Sequence, residues 1–290
     1  MWSKINFSKR QIHSGMLFLL LVVGYCIVDW RSTGRDLFGD RAVIWVFDVG
    51  QGDSIFINAP GKQVLIDGGP DDLVLEKLSA ALPFWDRSID LVVNTHPHAD
   101  HVTGLVSVLE RYSVSEVLIS PAGYQTPEYL QFLKNYSQQR VPRISEVINL
   151  GGGAELKVIY LPVVIPSTYF ADPNDASVVL EFTDGDTTML LTGDAGVEEE
   201  QKYANGLGHI DILKVGHHGS DTATSRYLLE QITPSIGIIS AGKDNDYGHP
   251  DPLILDRLLR AGIKVFRTDL DHDVQIKTDG HTSKIKLFDL

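Results

Sequence analysis

Apolar residues in this chain fall into two regimes. Near the start they form one block, residues 16–28, broken only by Gly24, Tyr25 and Cys26. From Ala42 onward they come in short runs separated by glycine, proline and polar clusters. Short apolar runs bounded by turn residues read as strands, and longer amphipathic ones as helices. The pattern predicts strands at 42–49, 53–58, 62–67, 89–94, 115–120, 155–161, 177–183, 187–191, 211–215, 235–240, 263–267, 274–277 and 284–288. It predicts helices at 71–82, 102–111, 128–137, 198–205, 225–231 and 252–261. Strand clusters with helices set between them occur twice over. That arrangement predicts an α+β body in which two sheets face each other and helices cover the outside. No repeat or low-complexity tract is visible.

The early block follows Lys4, Lys9 and Arg10. A positive stub ahead of an apolar run reads as a secretory signal or a signal anchor. The run is short for a span of about 20 residues. Extended to 12–30 it places His13 and Ser14 near one interface and Tyr25 and Trp30 near the other. No small-x-small cleavage site is evident, and Tyr25 before Cys26 fits a lipoprotein box poorly. The expectation is a cytoplasmic stub (1–11), one uncleaved transmembrane signal-anchor helix (12–30), a linker (31–40) and a body (41–290). The body would lie on the extracytoplasmic side of the cell membrane, or be secreted if the segment is cleaved. A buried core helix is the other reading, but it has no use for the flanking charges.

At 290 residues and 43% hydrophobic composition the chain can bury one large core. Its single cysteine, Cys26, excludes an internal disulfide and a cysteine-rich zinc cage. Any metal must be held by histidines and carboxylates. The formal net charge is −13, and residues 1–39 carry +3, leaving −16 for the remainder. Such a body repels polyanions at long range unless bound cations or local basic patches reverse the field.

The chemistry concentrates at Thr95-His96-Pro97-His98-Ala99-Asp100-His101, between a predicted strand and a predicted helix. Alternate side chains of an extended segment share a face, so His96 and His98 can grip one ion. Asp100 and His101, where the chain turns into the helix, can face a second ion. Imidazoles and carboxylates together suit borderline divalent metals. A loop of hydrogen-bonded histidines would explain one such residue more easily than three.

Other strand ends carry matching residues. Asp48-Val49-Gly50-Gln51-Gly52-Asp53-Ser54 reads as a tight hairpin, or as a turn exposing amides to a ligand. Asp67, before Gly68-Gly69, is either a turn residue or an orienting partner for the metal histidines. Asp194, in Thr192-Gly193-Asp194, is either a helix cap or a carboxylate bridging two metals. Val215-Gly216-His217-His218-Gly219-Ser220 pairs two histidines between glycines. Adjacent residues point apart, so one should bind metal and the other face substrate, and spacing does not say which. Asn245-Asp246-Tyr247-Gly248-His249-Pro250 stands at the last strand-to-helix junction. His13, His209, His272 and His281 lie outside these motifs and read as surface or interface residues.

The set 95–101, Asp67, Asp194 and a later histidine resembles the metallo-β-lactamase superfamily. More narrowly, the runs 48–54, 192–194, 214–220 and 247–250 are similar to the hydrolase domain of competence proteins of the ComEC/Rec2 type, without their multi-span channel. The resemblance covers about residues 42 to 290. It implies a four-layer αββα sandwich with two divalent ions, Zn2+ or Mn2+, between the sheets. It implies relatives that hydrolyse phosphodiesters, including DNA and phosphocholine esters. Two departures stand out. No histidine lies between His101 and Asp194, where many superfamily members supply another ligand. That interval holds Pro173-Asn174-Asp175-Ala176-Ser177, so water, Asp175 or substrate would complete the first site, and more oxygen ligation favours manganese. The relatives' glycine near 268–272 is also missing, since the chain has Thr268-Asp269-Leu270-Asp271-His272 there.

The expected reaction is phosphoester hydrolysis by a hydroxide shared between two metals. His96, His98 and Asp194 would hold the first ion; Asp100, His101, Asp194 and His217 the second. Asp100 would also orient the hydroxide, while His218 and His249 would contact the phosphate or protonate the leaving oxygen. Asp48, Gln51, Asp53, Asp67, Asp175, Ser220 and Tyr247 would support the site or touch substrate. DNA outside the membrane is the first expected substrate, and phosphocholine-like or other small envelope esters the second. Lactam or lactone hydrolysis, or a non-catalytic metal-binding envelope module, are the remaining readings.

Overall fold

Strand β1, Val43–Val46, shows how the layers arise. Successive side chains of a strand point to opposite faces. Ile44 and Val46 face one apolar cluster, and Val43 and Trp45 face another. A strand apolar on both faces is covered on both faces. The same holds for β3, Gln63–Ile66, where Val64 and Ile66 point one way and Leu65 the other.

The computed structural model describes residues 42–162, 170 and 172–290. The strands after β1 are β2 (Ile55–Asn58), β3, β4 (Ser88–Asn94) and β5 (Ser113–Ile119), with β13 (Asp273–Thr278) and β14 (Ser283–Phe288) returning from the far end of the chain. These seven form one sheet in the order β14-β13-β1-β2-β3-β4-β5. The second sheet runs β12-β11-β10-β9-β8-β7-β6. Its strands are β6 (Val147–Gly151), β7 (Ala154–Tyr160), β8 (Val179–Asp184), β9 (Thr187–Leu191), β10 (Ile212–Lys214), β11 (Ile236–Ile239) and β12 (Lys264–Arg267).

Between the sheets lies a core that includes Ile44, Ile57, Val64, Val93, Leu156, Leu180, Met189 and Ile238. Helices α1 (Leu73–Ala81), α2 (Ala99–Arg111) and α3 (Pro127–Asn135) cover the outer face of the first sheet through Leu78, Leu105 and Phe132. Helices α4 (Val197–Tyr203), α5 (Arg226–Ile232) and α6 (Pro252–Arg260) cover the second through Tyr203, Leu228 and Leu258. A single turn, α7 (Thr268–Asp271), precedes β13. This is the αββα sandwich expected from the pattern.

Besides the unpredicted turn α7, two features depart from the expected elements. Strand β6 is not among the predicted strands. It offers only Ile148 and Leu150 as buried apolar residues and stands at a sheet edge beside Gly151-Gly152-Gly153, so its pattern is faint. Helix α2 begins at Ala99 rather than near 102, with His98 as its extended N-cap. Among the described residues no helix is long and apolar enough to cross a membrane. The expected stub, anchor at 12–30 and linker lie outside the described residues.

Candidate metal centre

Strands β3 and β4 run parallel, as do β9, β10 and β11. Their C-terminal ends open on one edge of the sandwich, where α/β architectures commonly place ligands. Asp67 follows β3, His96 follows β4, Asp194 follows β9, His217 and His218 follow β10, and Ser240 follows β11. Parallel pairing aligns these ends within each sheet, and the packing of the two sheets against each other gathers residues more than a hundred positions apart.

The hub is Asp194. Its Oδ2 lies 3.7 Å from His96 Nε2 and 3.3 Å from His101 Nε2. It also lies 3.7 Å from His217 Nε2 and 3.5 Å from His218 Nε2. On each of these rings the other nitrogen is tied. His96 Nδ1 is 3.1 Å from Thr95 Oγ1, whose own hydroxyl donates to Asp67 Oδ2 at 2.6 Å. His101 Nδ1 pairs with Asp67 Oδ2 at 2.8 Å. His217 Nδ1 meets Thr222 Oγ1 at 2.8 Å, and His218 Nδ1 meets the Ser240 carbonyl at 3.1 Å. A partner on Nδ1 orients the ring and leaves Nε2 for a ligand. Asp100 joins through its Oδ2, 3.2 Å from His218 Nε2 and 3.9 Å from His101 Nε2.

Helix α2 fixes Asp100 and His101 more firmly than a loop would. Their place in its first turn is held by hydrogen bonds from the His101 and Val102 amides to the His98 carbonyl, at 3.1 and 3.0 Å. A carboxylate there also meets the positive end of the helix dipole. The Gly68 amide donates to the His101 carbonyl at 2.8 Å, which locks the Asp67 turn against the helix. Gly104 makes that approach feasible, because a Cβ there would strike the Gly68 carbonyl oxygen. The reading of Asp194 as a helix cap fails, since Gly196 occupies the N-cap of α4.

The two adjacent histidines do not point apart. Both adopt left-handed backbone, His217 at φ 48° and His218 at φ 54°, and both turn Nε2 toward Asp194. His218 is buried and belongs to the tight groups Asp100–His101–His218 and Asp53–Asp194–His218. His217 is a quarter exposed and stands on the open side, its ring 5.9 Å from that of His249. The sequence expectation gave the second ion to His217 and the substrate to His218, whereas it is His218 that stands among Asp100, His101 and Asp194. His98 lies beside His96, with ring centroids 4.9 Å apart, and outside those tight groups.

The electrostatics match the geometry. Burial favours neutral rings, yet Asp194, Asp67 and Asp100 outweigh it and raise His101 well above its ordinary value. His218 is raised against burial in the same way, chiefly by Asp194 and Asp100. Burial, with the positive charge of His101, pushes His96 well down. Burial opposes the ionisation of Asp100, but His101 and His218 hold its carboxyl at about 2. Burial likewise works against Asp53 and Asp194, and the cations beside them prevail in both. His96 Nε2 and Asp194 Oδ1 are buried with no hydrogen-bond partner among the described residues. Orphaned buried polar atoms are costly. Aimed lone pairs amid clustered carboxylates form a donor set that fits divalent cations.

The supporting residues divide. Asp53 reaches the site, 3.5 Å from His218 Nδ1. Gln51 Oε1 accepts the Gly242 amide at 3.1 Å, tying the first hairpin to the loop after β11. Ser220 Oγ lies 3.0 Å from Thr222 Oγ1, behind His217. Tyr247 is 72% exposed and stacks on His249 at 6.1 Å and 14°. Two residues face elsewhere. Asp48 accepts the Gly50 amide at 3.3 Å and sits in the field of Lys77, Asp273 and His272. Asp175 is raised by burial and then by Glu199, Asp172 and Glu198, and belongs to none of the tight ligand groups.

Sequence reasoning missed Lys214 as a site residue. Its Nζ is fully buried, 2.8 Å from Asp53 Oδ1 and 2.9 Å from Oδ2. A lysine inside the apolar run 212–215 was the available signal. Thr95, which bridges Asp67 and His96, and Ser177, whose Oγ accepts the Asp194 amide at 3.2 Å, were also not singled out.

An αββα sandwich with this cluster at the strand ends is a metal-dependent hydrolase architecture, and the chain belongs to the metallo-beta-lactamase superfamily, whose profile matches residues 47–243. Within it the chain is similar to competence and recombination proteins of the ComEC/Rec2 type. It is 32% identical over 255 residues to ComE operon protein 3 of Bacillus subtilis, covering 80% of this chain and 32% of that protein. It is 32% identical over 236 residues to Recombination protein 2 of Haemophilus influenzae, covering 79% of this chain and 28% of that protein. The chain thus spans about a third of the length of these relatives. Among solved structures, the metallo-beta-lactamase fold protein YhfI from Bacillus subtilis matches with a TM-score of 0.56 at 12% identity. That match covers 82% of this chain and all of YhfI, and shares the fold.

Proposed function

We propose that this protein is a two-metal phosphodiesterase whose substrate is DNA, anchored through residues 12–30 with its body outside the cytoplasm. One observation carries the two-metal part of the reading. Four imidazoles, each tied at Nδ1, aim Nε2 at a single oxygen of Asp194. His96, His98 and Asp194 would hold one ion, and Asp100, His101, His218 and Asp194 the other. Two divalent ions would supply Lewis acidity and lower the pKa of a water bound to them toward neutrality. Zn2+ and Mn2+ both suit the donors.

The remaining work falls to the chain. Asp100, ionised and a third exposed, faces the open side of the cluster and would accept a hydrogen bond from the attacking water. Asp67 holds His101 in one tautomer through Nδ1 and is itself held by the Thr95 amide at 2.8 Å. His249, beside His217 at the mouth, would donate to a phosphate oxygen or the departing alkoxide. Buried Asp53 and Lys214 neutralise each other behind His218 and fix its ring plane.

DNA is preferred because the relatives' names speak of recombination and of a competence protein, ComA of Neisseria gonorrhoeae. The −16 charge beyond residue 39 favours a small envelope ester instead, and that reading is kept as the rival. The test uses chelator-stripped full chain reloaded with Mn2+ or Zn2+. Bis-p-nitrophenyl phosphate and plasmid DNA should both be cleaved, and His98→Ala or Asp194→Ala should abolish both activities. Turnover on DNA should fall steeply with added salt, whereas a small ester should show little slope. Full activity in both variants would refute the assignment, and turnover of nitrocefin alone would move it to lactams.

A further inference from the structure

The first ion is short of ligands. His96, His98 and Asp194 supply three donors, and no histidine lies between His101 and Asp194 to supply a fourth. Asp175 does not fill the gap, since it belongs to none of the tight ligand groups and sits in the field of Glu199, Asp172 and Glu198. The second ion has no such shortage, because Asp100, His101, His218 and Asp194 already make the four donors of a tetrahedral shell. That leaves His217, with an oriented imidazole and no ion assigned to it.

Resting on the two-ion reading above, we infer that His217 is the missing ligand of the first ion, so that two consecutive histidines serve two different metals. His217 Nε2 lies as far from Asp194 Oδ2 as His96 Nε2 does, at 3.7 Å. Its Nδ1 is held by Thr222 Oγ1 at 2.8 Å, the arrangement that the other three convergent rings also show. The backbone accounts for the convergence. In an extended strand neighbours diverge to opposite faces. Here both residues take left-handed dihedrals, φ 48° ψ 47° and φ 54° ψ 20°, which bring both rings to one side. Left-handed backbone is unfavourable for non-glycine residues and persists where the surroundings hold it. Gly216 and Gly219 bracket the pair, and the His217 amide donates to the Gly193 carbonyl at 3.2 Å, pinning the turn to the loop that bears Asp194. The rival donor is Asn174, whose buried Oδ1 has no hydrogen-bond partner among the described residues.

The test measures ion binding, not turnover. Chelator-stripped full chain is titrated with Mn2+ by calorimetry, and the spin coupling of the ion pair is read by electron paramagnetic resonance. His217→Gly removes the imidazole and suits the left-handed backbone. Wild type should take two equivalents and show a coupled pair. H217G should weaken one equivalent beyond the roughly 10–100-fold loss typical of outer partners, keep the other, and lose the coupled signal. Thr222→Val, which keeps the His217 imidazole but frees its Nδ1 along with the Ser220 hydroxyl, should weaken the same equivalent by about 10-fold. His218→Gly should instead weaken the other equivalent. The inference is overturned if H217G retains both equivalents and the coupled signal. It is overturned equally if Asn174→Ala, and not H217G, loses the first ion. A wild type that binds one equivalent overturns the ion pair itself. Two equivalents without phosphoester turnover would sink the substrate reading, while the H217G titration still decides this one.

Discussion

Lys214→Met should cost this protein several kcal/mol, because it strands a charge. Lys214 and Asp53 are both buried, with Nζ 2.8 Å from one carboxylate oxygen and 2.9 Å from the other. Removing one partner of such a pair costs about 3–5 kcal/mol, since the remaining ion is left uncompensated in a poor solvent for charge. For a body of this size each kcal/mol moves the melting temperature by about 2–4 °C, so K214M should melt roughly 6–20 °C below wild type. Asp53→Asn strands the ammonium and should cost a similar amount. The double variant removes both charges and should lose far less than the two single losses combined. Thermal and urea unfolding in chelator is the assay, because bound metal would add stability of its own. A K214M midpoint within about 2 °C of wild type would refute the pairing, given that scale. So would strict additivity in the double variant.

Three further outcomes are expected. Gly104→Ala drives a Cβ into the Gly68 and Asp71 carbonyls, so the protein should lose about 1–3 kcal/mol in urea unfolding; unchanged stability would mean that helix and turn are not packed so closely. Burial pushes the Tyr129 phenol up to about 12, against about 10 when unfolded. The folded state then holds its proton longer, so this residue's contribution is complete below pH 10 and fades as pH rises toward 12, by up to about 3 kcal/mol; Tyr129→Phe should flatten that part of the stability curve, and parallel curves would count against it. Tyr247→Ala removes an exposed ring stacked on His249 and should raise KM for single-stranded DNA by about 5-fold or more with kcat little changed; an unchanged KM would remove Tyr247 from substrate contact.

Much of this protein was legible in one dimension. The apolar runs gave two strand clusters and their outer helices, because burial on both faces of a sheet leaves continuous hydrophobic stretches that helices must cover. The run 95–101 declared metal chemistry through residue type alone, and the single cysteine confined the ligands to imidazole and carboxylate. The faint strand β6 escaped because an edge strand needs few apolar residues. Tertiary structure decided the rest. Periodicity could not say that Asp48 faces the Lys77–Asp273 cluster while Asp53, five residues on, faces His218. Nor could it say that His217 and His218 converge, because a strand's alternation stops where the backbone turns left-handed. Lys214 stands within an apolar strand and is half of a buried ion pair whose partner lies 161 positions away. Local sequence sets which face a side chain takes within its own element. Only the tertiary packing, with strands parallel within a sheet and the two sheets facing each other, sets which side chains meet across elements, and a metal site is made of those meetings.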